Sequence, residues 1–362
     1  MSPISQRPPA AGHAAPIDIH WADPQRRILF ETWLDRLQGL HGMDRSSLRS
    51  ASADASFRRY LRIDCIQGSR VIMDAPPALE NCTPFVQVTR LMAEAGIRAP
   101  QVLDWDETHG FMLLTDLGPK TMMQTMRPGE APPLALYLQA VDTLVQWQLA
   151  SREGVLPDYS RALLLRELEL FPQWYIAEHR KVNLNAAQRK TLDEAFATIA
   201  NHNLAWPRVY VHCDFMPRNL MVAENGAMGV LDFQDALYGP ITYDIASLMR
   251  DAFLSWEEDF CLDVTIRYWE KARRAGLPVG DDFGEFYRGV EWMGLQRHLR
   301  IAGIFARLSL RDGKPHYLED TPRFLAYIQA TCGRYRELKP LLRLIEQVEG
   351  TKASSAYTFG RM

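Results

Sequence analysis

The residues best placed to do chemistry lie between Val209 and Asp235. His212, Asp214 and Asn219 stand at His-x-Asp-x-x-x-x-Asn spacing within Val209-Tyr210-Val211-His212-Cys213-Asp214-Phe215-Met216-Pro217-Arg218-Asn219. Asp214 can accept the proton of an attacking hydroxyl, Asn219 can turn back to hold a metal between phosphates, and His212 can brace the loop. A second carboxylate, Asp232, follows an apolar run in Gly229-Val230-Leu231-Asp232-Phe233-Gln234-Asp235. Phosphoryl transfer needs little covalent help from a protein and much positioning and charge neutralisation. A carboxylate, an amide and a second carboxylate around Mg²⁺ supply both. Either half alone is equally a buried polar brace. The two halves in order, each on a short apolar strand, point to chemistry.

These residues need elements to hold them. Val209–His212 and Met228–Asp232 read as short strands, and helices resume from Tyr243 after the turn at Gly239-Pro240. Asp244 then either bonds the catalytic loop or acts as an N-terminal helix carboxylate. Upstream, residues 134–150, 161–180 and 185–200 carry helical periodicity. Before Gly118 the pattern differs. Helices are expected at 24–40 and from Thr83, with Pro84 at its first position, to Gly96. Between and after them lie strands: two extended runs from Leu48 to Ile63 flanking a turn of small residues, then 71–73, 99–105 and 110–116. This predicts an α+β chain. Its divisions are a disordered leader at 1–16, a sheet-rich part at 17–117, a helical part at 118–350 and a flexible tail at 351–362.

Composition narrows the class. The 362 residues carry 41 Lys+Arg and 44 Asp+Glu, for a net charge of −3, with 47% hydrophobic residues. That is an ordinary globular composition and argues against a nucleic-acid binder held by a general basic field. No apolar run reaches the length of a membrane span, and the N-terminus lacks an apolar signal core. Cys65, Cys82, Cys213, Cys261 and Cys332 show no Cys-x-x-Cys spacing, which fits reduced thiols in a cytoplasmic protein. The other histidines show no metal-ligand spacing.

The catalytic-loop motif, the Asp232 strand and Ala236–Leu248 together resemble the aminoglycoside phosphotransferase and choline kinase family, over about residues 25–310. Within it the chain is most similar to bacterial anomeric kinases of N-acetylmuramate and N-acetylglucosamine. That closer resemblance rests on Asp54-Ala-Ser-Phe-Arg-Arg-Tyr60, Met73-Asp-Ala-Pro-Pro77, Glu80-Asn-Cys82, Asp232–Pro240 and Glu291–Leu299. The resemblance implies a two-lobe protein-kinase-like fold, with an antiparallel sheet and helix in the N-lobe and a mostly helical C-lobe. ATP would lie on the N-lobe, contacted by Leu114 and Asp116 of a linker near 114–118, with Mg²⁺ on Asn219 and Asp232. The hydroxyl substrate would lie on the C-lobe. It further implies phosphorylation of the C1 hydroxyl of the amino sugar, in peptidoglycan recycling, by a monomer with no nucleic-acid or membrane partner. Another small acceptor (an aminoglycoside, choline or a different sugar) and a nucleotide-binding pseudokinase are the alternatives.

The chain departs from the kinase pattern at the phosphates. Kinases place a Lys on the third strand, paired to a helix Glu. Here that strand is Val71-Ile72-Met73-Asp74, and 51–56 contains no glycine. Arg58 or Arg59 is one replacement cation, with the Ser52 and Ser56 hydroxyls cradling the phosphates. Side chains alternate along a strand, so only one of the two arginines faces the nucleotide. The other reading makes both of them ion-pair residues.

For the acceptor, one helix carries Glu291, Gln296, Arg297 and Arg300 around an apolar stripe. Arg297 and Arg300, three residues apart, share a face. They either grip a substrate carboxylate by bidentate bonds or form a solvated charged face. Asp235 is a further acceptor candidate. Trp174, Tyr175 and Trp292 are either sugar-stacking or core aromatics.

Overall fold

The computed structural model describes Ile19, Trp21 and residues 23–52, 58–127, 130–223 and 226–350. The expected leader at 1–16, Ser56 and the tail at 351–362 lie outside the described residues. By contacts the chain divides into two compact units. One runs to Arg90 and adds Pro100–Leu117; the other joins Leu91–Ala99 to the chain from Gly118 on.

The first unit is built on a five-stranded antiparallel sheet of order β1-β2-β3-β5-β4. Its strands are β1 Met43–Ser52, β2 Arg59–Cys65, β3 Arg70–Asp74, β4 Val102–Asp106 and β5 Phe111–Thr115. Helix α1, Pro24–His41, starts on Asp23, whose carboxylate accepts from the Gln25 N–H, and stops at Gly42 in the left-handed conformation (φ 57°). Phe30, Trp33, Leu34 and Leu37 of α1 pack on Leu61, Ile63, Ile72, Phe111 and Leu113, which share one sheet face. Strand alternation therefore sends Tyr60, Arg62, Val71, Met73, Met112 and Leu114 to the other face. β1 begins at Met43, earlier than the extended run read from Leu48. Met43 pairs with Cys65 and Asp44 with Asp64, so its partner strand supplies the order that the polar sequence does not advertise. Helix α2, Thr83–Glu94, follows β3.

The second unit is mostly helical: α3 Met122–Thr125, α4 Leu134–Leu149, α5 Arg161–Leu168 and α6 Ala186–Leu204, then α7 Thr242–Met249, α8 Glu258–Arg274, α9 Phe283–Leu310, α10 Thr321–Arg334 and α11 Lys339–Glu349. Between α6 and α7 lie two small antiparallel pairs. β6 (Arg208–Val211) pairs with β9 (Leu237–Pro240), and β7 (Leu220–Val222) with β8 (Met228–Val230). The chain read as a turn at Gly239-Pro240 is thus the end of a strand. The helix expected over 161–180 is broken: an α-helix ends at Leu168 and a π-helical segment spans Phe171–His179. Pro172 has no N–H to continue the ladder, and its ring crowds the carbonyl four residues back. No described helix is long and apolar enough to cross a membrane.

Candidate active site

The two strand pairs make the site. β6 delivers His212, the turn before β7 carries Asp214 and Asn219, and β8 ends just before Asp232. The loop closes on itself by short bonds. The His212 ring is buried, with Nε2 2.9 Å from the Leu231 carbonyl and Nδ1 accepting from the Asp214 N–H at 3.3 Å. That pairing puts the imidazole proton on Nε2. Asn219 donates to the Asp214 carbonyl (2.9 Å) and to Asp232 Oδ2 (3.4 Å), while Gln234 donates to Asp232 Oδ1 (2.8 Å).

Two non-glycine residues here have positive φ: Cys213 at 76° and Asp232 at 62°. Each such conformation costs on the order of 1–2 kcal/mol and needs support. For Cys213 the support is visible. Asp244 of α7 accepts from the His212 N–H (2.6 Å) and the Cys213 N–H (3.0 Å). Arg297 of α9 donates to the Cys213 carbonyl at 2.5 Å. Of the two readings of Asp244, the structure selects the loop bond.

The electrostatics keep Asp214 ionised. Partial burial pushes its carboxyl upward, but Arg300, Arg297 and His212 outweigh that and hold it below the usual carboxylate range. Its side chain is 37% exposed, open to an incoming hydroxyl, and Arg297 Nη2 lies 3.6 Å from Oδ1. Asp244 goes the other way. Complete burial raises it to about 6 against the pull of His212 and Arg297. Burial also pushes the Cys213 thiol far up, so that group is inert beside the base. Asn219 and Asp232 offer hard oxygen donors 13 residues apart in sequence but in contact. No cluster of three or more His, Cys, Asp or Glu suited to a metal occurs among the described residues. Mg²⁺ ordinarily takes only one or two protein carboxylates and completes its shell with water and phosphate, so the pair fits it.

A scan against protein families matches residues 47–281 to the phosphotransferase enzyme family. The chain belongs to that family. It is 49% identical over 339 residues to the N-acetylmuramate/N-acetylglucosamine kinase of Neisseria meningitidis serogroup B, covering 92% of this chain and 100% of the relative. The enzyme of the same name from Pseudomonas aeruginosa is 44% identical, with coverage of 92% and 100%. Among solved structures, the choline/ethanolamine kinase family protein from Mesorhizobium loti matches with a TM-score of 0.58 at 15% identity, covering 89% of this chain and 99% of that one. That likeness bears out the α+β, kinase-like fold.

The remaining expected residues of this phosphotransferase divide sharply. Arg297 is 1% exposed and lies over the Tyr243 ring. Arg300 sits 3.4 Å from Glu167 and donates to the Tyr243 hydroxyl. A solvated face is therefore excluded for Arg297, because a buried guanidinium must find partners, and it finds them in the catalytic loop. Glu291 is also buried, but its carboxylate accepts from Arg334 and Tyr335 beside a cavity of about 30 Å³ lined by Arg250, Glu258 and His298. Those bonds tie Glu291 to the end of α10. Trp292 and Tyr175 are core: Trp292 stacks on His202, and Tyr175 is 1% exposed with its hydroxyl on Glu349. Trp174 sits half-buried in the π-helical segment, and Asp235 is exposed beyond Asp232.

In the first unit, Leu114 is buried in β5. The Asp116 carboxylate accepts from Arg62 (2.6 Å) and Ser69 (2.7 Å). Arg58 pairs with Glu80 and Arg59 with Asp74. Ser52 ends β1, its backbone opposite Tyr60. Sequence reasoning missed Glu167 and Tyr243, which buttress Arg300. Tyr243 stood next to Asp244 in the motif, whereas nothing local marked Glu167.

Proposed function

We propose that this phosphotransferase uses ATP to phosphorylate the anomeric C1 hydroxyl of N-acetylmuramate and N-acetylglucosamine, in cytoplasmic recycling of cell-wall sugars. The observation that carries the reaction type is the closed loop in which Asp214 is kept ionised, half open to solvent, with Asn219 and Asp232 in contact beside it. The acceptor class is supported by the names of the two bacterial relatives. Charge supports it as well. Arg297 and Arg300, the latter paired with Glu167, stand near Asp214, and two guanidiniums there suit a neutral or anionic sugar better than a polycationic aminoglycoside.

In this reading Asp214 takes the proton from the sugar hydroxyl as its oxygen attacks the γ-phosphorus. The bond from that phosphorus to the β–γ bridging oxygen breaks, and ADP leaves with both electrons of it. His212 holds the loop through Leu231, and Asn219 ties the Asp214 backbone to Asp232. Mg²⁺ on Asn219 and Asp232 would supply charge neutralisation for the phosphates.

The test incubates purified protein with ATP, Mg²⁺ and each of N-acetylmuramate, N-acetylglucosamine, kanamycin and choline, and reads products by phosphorus NMR. The expected result is a glycosyl 1-phosphate from the amino sugars alone. Transfer only to kanamycin or choline, or to a hydroxyl other than C1, would overturn the acceptor assignment.

A further inference from the structure

The strand that carries the phosphate-binding Lys in kinases has none here; its Arg70 alternates onto the face of Ile72, which α1 covers, and three arginines of β2 and its leading edge are the other nearby cations. Each has a carboxylate partner: Arg58 with Glu80, Arg59 with Asp74, and Arg62 with Asp116. Their surroundings separate them. Arg59 lies on the sheet face that α1 covers, with Leu61 and Ile63. Its guanidinium sits 3.8 Å from the Trp21 ring and shares Asp74 with Arg26, so it closes the helix onto the sheet. Arg62 lies on the opposite face but is held bidentate by Asp116, whose carboxylate also accepts from Ser69 at the far end of the strand.

Arg58 precedes the Arg59↔Asp74 pair by one residue, so alternation turns it to the face of Tyr60, Met73, Met112 and Leu114. In sequence it follows Phe57 and the run of small residues at 51–56. Glu80, on the loop from β3 to α2, holds it at 3.2 Å with side-chain exposures of 11% and 19%. Cys82 is buried beside the pair. A guanidinium held in place by a carboxylate at the leading edge of β2 presents the planar fork that suits bidentate contact with a phosphate.

We infer that Arg58 is the phosphate-binding cation of this enzyme and Glu80 its positioning residue, while Arg59 is structural. This rests on the kinase reading above. The test measures equilibrium binding of ADP and of adenosine to the full chain by calorimetry, for the wild type, Arg58→Ala, Arg58→Lys, Glu80→Gln and Arg59→Ala. Near-ultraviolet circular dichroism checks that each is folded. Arg58→Ala should lose about 10- to 100-fold in ADP affinity with adenosine affinity unchanged. Arg58→Lys should recover part of the loss, and Glu80→Gln should lose a few-fold. Arg59→Ala should keep the wild-type ratio of ADP to adenosine affinity while melting at lower temperature. A folded Arg58→Ala that keeps the wild-type ratio, or an Arg59→Ala that loses it, would overturn the assignment and leave the kinase reading intact. A wild type that binds neither ADP nor ATP would overturn the kinase reading itself.

Discussion

The catalytic loop and helix α9 both converge on Asp214, but they reach it in different ways. The loop's residues are joined by hydrogen bonds across at most a few tens of positions: His212 to Leu231, Asn219 to Asp214 and Asp232. α9 reaches the same place from 84 positions away, through the Arg297 bond to Cys213. Along α9 the polar residues then split. Arg297 serves the loop, Arg300 meets Tyr243 and Glu167, and Glu291, six positions before Arg297, serves Arg334 and Tyr335. A motif is legible where tight turns close the chain on itself, because the spacing then encodes the geometry. A buried long helix presents polar groups to every side, and only packing decides which neighbour each one meets.

That contrast can be broken most forcefully at Arg297. Arg297→Met removes the donor to the Cys213 carbonyl and one of the two guanidinium charges that hold Asp214 down. About 2–3 kcal/mol of stability should be lost. The acid limb of the kcat/KM profile should also move to higher pH, as Asp214 takes up a proton more readily. An unmoved limb would assign Arg297 to packing alone.

Glu291→Gln tests the other half of the helix. It breaks a buried charge-assisted pair, and a loss of about 2 kcal/mol in chemical denaturation is expected. Sugar KM and the pH profile should stay as in the wild type. A rise in sugar KM without loss of stability would restore Glu291 to the acceptor site.

Gly303 sharpens the packing argument. A Cβ there would fall 2.4 Å from the Leu170 carbonyl group, where α9 crosses the start of the π-helical segment. Gly303→Ala should cost about 1–3 kcal/mol through overpacking, seen as a lower melting temperature. An unchanged melting temperature would show that the segment yields freely.

The last effect expected is a slope. Asp244 is raised to about 6 in the folded chain, above its ordinary value of 3.8. Between those values the folded state binds the extra proton, so this group's contribution to stability falls as pH rises from about 4 to 6. The stability difference between wild type and Asp244→Asn should vary across that window by at most about 1.4 kcal/mol per pH unit. A difference independent of pH would contradict the raised value.

Much of this was legible beforehand. Apolar periodicity located α1, α4 and α6, and the motif spacing located His212, Asp214, Asn219 and Asp232. Three features were not. The break after Leu168 depended on one proline inside a helical pattern. β1 from Met43 depended on a partner strand. Glu167 reaches Arg300 only through the fold, with no local signature to mark it. The choice between Arg58 and Arg59 likewise required knowing which sheet face α1 covers.

The most direct test of the central claim separates binding from chemistry at Asp214. The Asp214→Asn variant keeps the side chain's shape and removes the base. Rapid-quench single-turnover transfer from ATP to N-acetylmuramate, under saturation confirmed by equilibrium binding, should fall by at least about 100-fold. A transfer rate within a few-fold of wild type, with both substrates bound, would contradict the account.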